Sequence, residues 1–547
     1  MADTIKTPDP TPDTSAHRVA KEGETAARRH ASSAMILLII AGAQLMVVLD
    51  ATIVNIALPS MGDYFHKDQT AMTWALNAYT LAFGGLLLLG GRSGDILGRR
   101  RMFIVGLALF TIGSFLGGIA PNYQMLLVGR VIQGLGGAIA SPTALSLVTT
   151  EFEEGPARTR AFAVYAAVSG AGAALGLLLG GILTEFLDWR WVLFVNVPIG
   201  AVLIVGAYFY LHESERQRNV RIDVVGALLS VAGMVGVVYG FINAAQHGWS
   251  NGVTIGVFIV AVICLVAFFA WELRTPEPML PMRVILDRNR GGSYLVMLIV
   301  GAGMFGMFYF VTYFIQQVMH FSALRAGFAF LPVAFIIGIT SQIMTVLMPK
   351  FGPKVLIVAG STLLTAAMFW FATVDADSGY WDKLLPGMAI MAIGMGCIFV
   401  PLTTVAVSRV DNTDAGVASA MLNVGQQVGG AIGLSVLATV AATAGRNAGT
   451  SKFADLMAQV KAGKLPSSTL QHLQQLQGLQ TGNKVPPAAL KDSVAVRAIA
   501  DIQAHSSGQG FLAAAFFALA AIIVALVIIN VKKDEVPSEL PLGVGAA

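Results

Sequence analysis

Fourteen long apolar blocks constrain this chain more than any other feature of its sequence. A helix that crosses a bilayer needs roughly 20 mostly apolar residues, and each block has about that length. None of the blocks alternates apolar with polar residues, as the strands of a membrane barrel do. We therefore predict an all-α integral membrane protein. The predicted spans run over about 34–57, 72–91, 102–120, 124–149, 161–184, 191–211, 223–243, 252–272, 292–317, 323–348, 353–374, 383–408, 415–442 and 508–531.

The composition supports placement in a membrane. Charged residues make up 12% of the 547 residues and apolar residues 55%, whereas roughly 25% of a soluble domain is charged. The net charge of +4 reflects where the loops lie, so it gives no reason to predict binding of nucleic acid. Cys264 and Cys397 both fall inside apolar blocks and are interpreted as packing residues, and we predict no metal site.

Lysine and arginine are concentrated in alternate loops, which predicts the orientation of the spans. Short cytoplasmic loops of membrane proteins carry an excess of these residues. If the N-terminus is cytoplasmic, the short outer loops hold only Lys67, Arg190, Arg325 and Lys383, and the inner segments hold most of the rest. We predict a multi-pass protein of the cell membrane with an even number of spans and both termini in the cytoplasm.

The chain contains an internal repeat. GAIASPTALSLV at 137–148 resembles GCIFVPLTTVAV at 396–407, and each precedes a polar turn and a glycine-rich span. Repeats of this kind are typical of transporters, whose substrate site lies between the two halves. The predicted divisions are a disordered cytoplasmic tail at 1–33, a six-helix half at 34–211, two inserted helices with their loops at 212–290, a second six-helix half at 291–531 and a cytoplasmic tail at 532–547. An outer insertion at 443–507, which contains QHLQQLQGLQ, is predicted to form short amphipathic helices or to extend the flanking spans.

Two basic motifs distinguish the first half. The loop GRSGDILGRRR joins the second and third spans, and by itself it reads as a basic loop that sets topology. It resembles motif A of the major facilitator superfamily, which implies that Gly91, Asp95, Gly98, Arg99, Arg100 and Arg101 latch an inner gate. An arginine inside hydrocarbon needs a partner, and Arg130 lies inside the fourth span, three residues before Gln133. That pair resembles motif B of the same superfamily, which implies a part in proton coupling.

The fifth span carries glycines four residues apart, which is the spacing that lets helices pack closely. Close packing alone is enough to explain Gly172, Gly176, Gly180 and Gly181. The spacing also resembles motif C of drug antiporters, except that Leu177 stands where that motif has proline. The departure is compatible with a divergent efflux pump, including the kind found in mycobacteria, or with a lipid exporter.

Further segments are similar to the fourteen-helix drug/proton antiporter branch of the superfamily. They include DWRWVLFVNVPIG at 188–200, SALRAGFAFLP at 322–332 and Asp223 at the start of the seventh span. The resemblance implies the major facilitator fold, with two six-helix bundles and two inserted helices. It also implies a central substrate cavity, for which the candidate lining residues are Asn55, Trp74, Asn77, Tyr79, Gln133, Met304, Phe308, Tyr313, Gln316, Asn423 and Gln426.

Asp50 is the carboxylate that lies well inside a predicted span. It is about 24 Å along the first helix from one face, and Arg130 is about 12 Å along the fourth from the other, so the two lie at similar depths. A carboxylate shielded from water tends to hold a proton and releases it near a cation. Asp50 is also part of LDATIVNIALP, which resembles the first-helix motif of the antiporter branch. We predict that Asp50 and Arg130 couple transport to protons; a structural ion pair of constant charge is the alternative.

The function predicted from these features is proton-coupled export of hydrophobic, cationic drugs or toxic compounds. Export of a lipid or an endogenous lipophilic metabolite is the alternative, and proton-coupled nutrient uptake is less favoured because few polar groups line the predicted cavity. The sequence has no nucleotide-binding loop and no paired acids for hydrolysis, so we predict no enzyme and no cofactor other than the proton gradient. Small substrates and membrane lipids are the expected partners of a monomer.

Overall fold

A computed structural model describes residues 14–67, 69–152, 156–213, 223–276, 278, 280–407, 415–479 and 491–531. Regular structure in these ranges is helical throughout. The helices are α1 Thr14–Phe65, α2 Gln69–Leu97, α3 Arg99–Gly118, α4 Tyr123–Glu151, α5 Pro156–Phe186, α6 Trp191–Phe194, α7 Asn196–Tyr210, α8 Val224–His247, α9 Gly252–Glu272, α10 Met282–Ile285, α11 Arg288–Tyr313, α12 Ala323–Ala329, α13 Leu331–Phe351, α14 Pro353–Phe371, α15 Leu385–Val407, α16 Ala415–Lys461, α17 Ser468–Leu479 and α18 Ser493–Val527. Two π-helical turns, Phe314–Val318 and Tyr380–Leu384, continue α11 and precede α15.

The predicted all-α membrane fold is confirmed. Thirteen of the predicted spans coincide with helices that are long and apolar enough to cross a bilayer. The remaining predicted span is α5, a helix of 31 residues that includes the apolar stretch Leu175–Phe186. The boundaries differ in places: α1 continues past Pro59 to Phe65, because the sequence turns polar before the helix ends.

Polar side chains fix where several helices begin. Asn122 accepts a hydrogen bond from the backbone N–H of Met125, and Asp287 accepts two from the first turn of α11. Such caps satisfy N–H groups that have no partner inside the helix. The same role is filled by Asp223, Asn251, Ser322 and Asp492.

The bundle has two chemically different ends. We call one the basic end, because Arg99, Arg100, Arg101, Lys350 and Lys354 lie there. At this end Arg288 and Lys354 donate hydrogen bonds to the last carbonyl groups of α18. Cations stabilise helix C-termini, where carbonyl groups are left unpaired.

The opposite end is the cap end, which carries the described parts of the 443–507 insertion. Here α16 and α18 extend beyond the apolar spans and pack with α17 around Leu456, Leu473, Ala495 and Ala498. Arg497 of α18 pairs with Asp377 in the loop after α14. The insertion is therefore helical in its described part, and it is tied to the second half of the bundle.

The inserted helices α8 and α9 form a hairpin at the side of the bundle. Trp74 of α2 packs against Tyr239 of α8, with 6.0 Å between the ring centroids. The outer helix α9 exposes many large apolar side chains, among them Ile259, Ile263 and Val266. In a spanning helix such a surface faces lipid.

Candidate functional site

Asp50 lies at the centre of a buried polar cluster. Its side chain is fully buried, and Arg130 Nη1 lies 2.6 Å from Asp50 Oδ2. Arg130 is also fully buried. The two residues come from α1 and α4, so packing of these helices brings together the two charges that the sequence placed at similar depths.

Two side-chain amides complete the surroundings of the carboxylate. Gln133 Nε2 and Asn196 Nδ2 both donate to Asp50 Oδ1, at 3.0 and 2.9 Å. Gln133 Nε2 also donates to the hydroxyl of Ser114 on α3, at 2.6 Å, and its carbonyl oxygen accepts from Arg130 Nη1 at 3.0 Å. Three donors therefore converge on the two carboxylate oxygens.

Arg130 makes two contacts besides those with Asp50 and Gln133. Its Nε donates to the backbone carbonyl of Ala75 at 2.8 Å, and its guanidinium carbon lies 4.4 Å from the ring centroid of Tyr79. Contact of a guanidinium with an aromatic face is attractive, more so when water is excluded. Its Nη2 is buried and has no hydrogen-bond partner among the described residues.

Arg130 separates Asp50 from a small cavity between the two halves of the chain. The cavity has a volume of about 20 Å³, enough for a single water molecule. Asp50 is not among its lining residues, whereas Arg130 is. The cavity is lined by Ala51, Asn55, Leu76, Asn77, Tyr79, Thr80 and Arg130 from the first half and by Phe305, Tyr309, Gly430 and Leu434 from the second.

Several predicted cavity residues lie away from this space. Trp74 faces the inserted helix α8, Phe308 packs against Phe330 with ring centroids 5.8 Å apart, and Tyr313 forms a hydrogen bond with Gln503 of α18. Met304 is buried in a hydrophobic core that includes residues of both halves. Gln316, Asn423 and Gln426 are partly buried and do not line the cavity. The sequence analysis also missed residues that the structure places at the site: Ser114, Asn196, Phe305 and Tyr309.

The loop at the basic end is bound to its own half. Arg99 donates to the carbonyl of Ser146 on α4 at 3.3 Å. Arg100 donates to the carbonyl of Tyr208 on α7 and lies over its ring, 5.1 Å from the centroid. Gly98 has a φ of +101°, which only glycine adopts without strain. The side chain of Asp95 lies outside the described residues, so its predicted role in the gate stays a prediction.

The glycines of α5 lie at two helix contacts. Gly172, Gly176 and Gly180 face α1, where a Cβ on Gly180 would lie 2.7 Å from the carbonyl oxygen of Ile53. Gly181 instead faces α12 of the second half, and a Cβ there would lie 2.5 Å from the carbonyl oxygen of Ala323. The two halves are therefore in backbone contact near the cap end. Leu177, where the motif has proline, is fully buried at this contact.

Two halves of spanning helices with a small cavity between them, and a family match to transporters, define the class of this protein as a multi-pass membrane transporter and not an enzyme. The chain belongs to the Major Facilitator Superfamily, which it matches over residues 40–434. The predicted assignment to the drug-export branch of that superfamily is confirmed by its relatives.

Two of the relatives described here are named as bacterial resistance or export proteins. The puromycin resistance protein of Streptomyces alboniger is 43% identical over 404 residues, covering 73% of this chain and 80% of that protein. The uncharacterised transporter EfpA of Mycobacterium tuberculosis is 39% identical over 399 residues, covering 73% and 75%. The cephamycin export protein of Amycolatopsis lactamdurans is 37% identical over 428 residues, covering 78% and 88%.

A solved structure with the same fold is an inward-facing bacterial homologue of the human lysosomal transporter Spinster. Its TM-score is 0.57 at 15% identity, and the match covers 90% of this chain and 98% of that one. At this identity the likeness shows the fold alone.

Proposed function

We propose that this protein is a proton-coupled antiporter that exports hydrophobic, cationic drugs or toxic compounds by alternating access. The observation that carries the proposal is the fully buried Asp50–Arg130 pair, which sits behind a cavity lined by both halves. Ionisable residues inside a membrane are costly, and they commonly mark ion pathways. One relative is named for resistance to puromycin and another for export of cephamycin, and these names support a drug-like substrate.

The chemistry of the pair explains how a proton would drive a conformational change. Ionised Asp50 neutralises Arg130, so neither buried charge is left without compensation. When Asp50 takes up a proton, Arg130 loses its counter-charge and its interaction with the carboxylate weakens. The guanidinium would then be free to move toward the cavity, which is lined in part by the aromatic rings of Tyr79 and Tyr309. A cationic substrate would favour the ionised acid in the same way, so proton and substrate exclude each other.

The arrangement of the ends supports an alternating mechanism. Gly181 of the first half and Ala323 of the second half are in backbone contact near the cap end, as a closed outer gate would require. We assign the cap end to the outside and the basic end to the cytoplasm, with both termini cytoplasmic in the cell membrane, because positive charge favours the cytoplasmic face. The proton gradient would be the only energy source, no cofactor would be needed, and a monomer would suffice.

Transport by purified protein in liposomes tests the proposal. An imposed pH gradient should drive uptake of cationic dyes into inverted vesicles, and Asp50→Asn should abolish the gradient-driven component. Asn243→Ala is the matched control, because Asn243 is a buried amide on α8 that bonds Thr254 at 2.8 Å, away from the site. Gradient-driven transport that survives in Asp50→Asn would make the pair structural and reject the proposal.

Export of a lipid or lipophilic metabolite is the second candidate, and one observation favours it. An apolar groove of about 710 Å³ opens on the membrane-facing side of α1, α5 and α7. It is lined by Ala34, Leu37, Leu38, Ala41, Gly42, Leu45, Val164, Val168, Pro198, Ile199, Val202 and Leu203. Transport of a fluorescent phospholipid, but of no cationic dye, in the same liposomes would favour this candidate over drug export.

A further inference from the structure

We propose that Asn196 is a positioning residue whose side-chain amide follows the protonation state of Asp50, donating a hydrogen bond to the ionised acid and accepting one from the neutral acid. The proposal rests on the proposed function, since it assigns Asn196 a part in proton exchange at Asp50. Asn196 belongs to DWRWVLFVNVPIG at 188–200. The sequence analysis noted that this segment is similar to the antiporter branch but predicted no role for its residues.

The backbone places Asn196 in the cluster. It is the first residue of α7, directly after the break at Val195 that separates α6 from α7. Pro198 has no N–H to donate to the carbonyl of Phe194, which accounts for the break. Gly200, one turn further, packs against Thr111 of α3 so closely that a Cβ would lie 2.0 Å from the hydroxyl oxygen. This contact holds α7 against the bundle, and Asn196 is fully buried.

The hydrogen bonds of the two amides differ in one respect. Both N–H groups of Gln133 are accounted for, by Asp50 and by Ser114, and its carbonyl oxygen accepts from Arg130. Gln133 therefore cannot change its orientation without breaking other bonds. Asn196 donates one bond to Asp50, and its carbonyl oxygen is buried without a hydrogen-bond partner in the described part of the chain.

The unused carbonyl oxygen gives Asn196 a second role. An ionised carboxylate only accepts hydrogen bonds, so the amide must present its NH₂ group to Asp50, as the structure shows. A protonated carboxyl group carries an O–H that needs an acceptor. A half-turn of the amide about its terminal side-chain bond presents the carbonyl oxygen to that O–H. Asn196 can thus satisfy both states of the acid, whereas Gln133 can satisfy only the ionised one.

The consequence is a change in how tightly the site holds its proton. Replacement of Asn196 by leucine removes the donor to the ionised acid and the acceptor for the neutral acid, and the bond to the charged form is the stronger of the two. Because the ionised form loses more, we expect the pH at half-maximal transport to rise, by no more than about 1 unit. A residue that only fills space would lower activity at every pH without moving this midpoint.

The experiment measures pH profiles of gradient-driven transport in liposomes for the wild type, Asn196→Leu, Asn196→Ser and the control Asn243→Ala. Serine keeps a group that both donates and accepts, so Asn196→Ser should recover most of the wild-type midpoint. Asn243→Ala should leave the midpoint unchanged. The KM for substrate should stay close to its wild-type value in Asn196→Leu even though the midpoint pH changes, because Asn196 does not line the cavity.

Infrared difference spectra of the wild type, recorded between acid and neutral pH, provide a test that does not depend on the leucine variant folding. They should contain a side-chain amide carbonyl band that is absent in Asn196→Ser. A wild-type spectrum without this band, or an Asn196→Leu midpoint equal to that of the wild type, would overturn the inference. Wild-type transport with no pH dependence would instead reject the proposed function, so the two failures are distinguishable.

Discussion

Asp50 and Arg130 lie 80 residues apart in the chain and form an ion pair of 2.6 Å with both side chains buried. Their positions on α1 and α4 put opposite charges at one depth inside an otherwise apolar bundle. Removal of either partner leaves a buried charge without compensation, which is far more costly than loss of an exposed pair. The pair is therefore a structural element, and the proton-coupling role that we propose for it can be separated from its structural role by experiment.

We expect Arg130→Ala to lower the free energy of unfolding by about 3–5 kcal/mol while Asp50 is ionised. The loss should shrink as the pH falls, because protonation removes the unpaired charge. Thermal unfolding in detergent across a pH series measures this dependence. The double variant Asp50→Asn/Arg130→Ala should be more stable than Arg130→Ala at neutral pH and should vary less with pH. Equal stability of Arg130→Ala and the wild type at every pH would show that the pair contributes nothing.

The contact between α5 and α12 is expected to hold the cap end closed. Gly181→Val places side-chain atoms against the backbone of Ala323, because a Cβ already lies 2.5 Å from its carbonyl oxygen. The cap end should then open more often, and a cysteine introduced at Ala51, which lines the cavity, should be labelled faster by a membrane-impermeant reagent added at that end. The background for this measurement replaces Cys264 and Cys397 by serine.

The matched control for this prediction is Gly256→Val. Gly256 lies on the exposed helix α9 and has open space around it, with no atom within 4 Å of a Cβ. Labelling at position 51 should equal that of the parent in this control. A Gly181→Val protein labelled at the parent rate would show that the contact does not restrict access.

Much of the fold, and the central pair, could be predicted from the sequence. Each apolar block had the length of a span, so block count and lysine–arginine bias sufficed for the spans. That Asp50 and Arg130 could interact followed from their similar depths, because a charge inside the membrane is costly without a partner. These signals are strong because a charged side chain in the membrane is costly unless it faces the interior of the bundle and has a partner.

The remaining parts of the site left weaker signals. Ser114 and Asn196 are small polar residues inside apolar spans, and periodicity does not show which neighbour they face when the span is buried on most sides. Trp74 faces Tyr239 of the inserted helix α8, a partner that the internal repeat does not contain. The cavity residues Phe305 and Tyr309 are apolar or aromatic like most of α11, so only packing distinguishes them.

Gly98 is expected to be required at the basic end because of its backbone. Its φ of +101° is costly for any residue with a Cβ, so Gly98→Ala should reduce the free energy of unfolding by about 1–3 kcal/mol. Thermal unfolding measures the loss, and Gly256→Ala should not reproduce it, because that helical glycine has open space. An unchanged unfolding temperature in Gly98→Ala would show that the loop relaxes to another conformation.

Asp492 is expected to make the cap end sensitive to acid. Burial alone raises the pKa of this carboxyl group, but hydrogen bonds from His472, from the backbone of Ala495, from Thr469 and from the backbone of Val494 outweigh it and lower the pKa below its ordinary value. A group with a depressed pKa stabilises the folded state above the unfolded pKa and loses this effect as the pH falls through the folded pKa. Contacts among α16, α17 and α18 should therefore loosen below about pH 4.

Asp492→Asn should show the same loosening at neutral pH, measured as faster hydrogen exchange in α17. Asp455→Asn is the control and should not show it, because Asp455 accepts a hydrogen bond from Gln459 within α16. Exchange in α17 that is the same for Asp492→Asn and the wild type at pH 7 would show that the carboxylate does not hold the cap together.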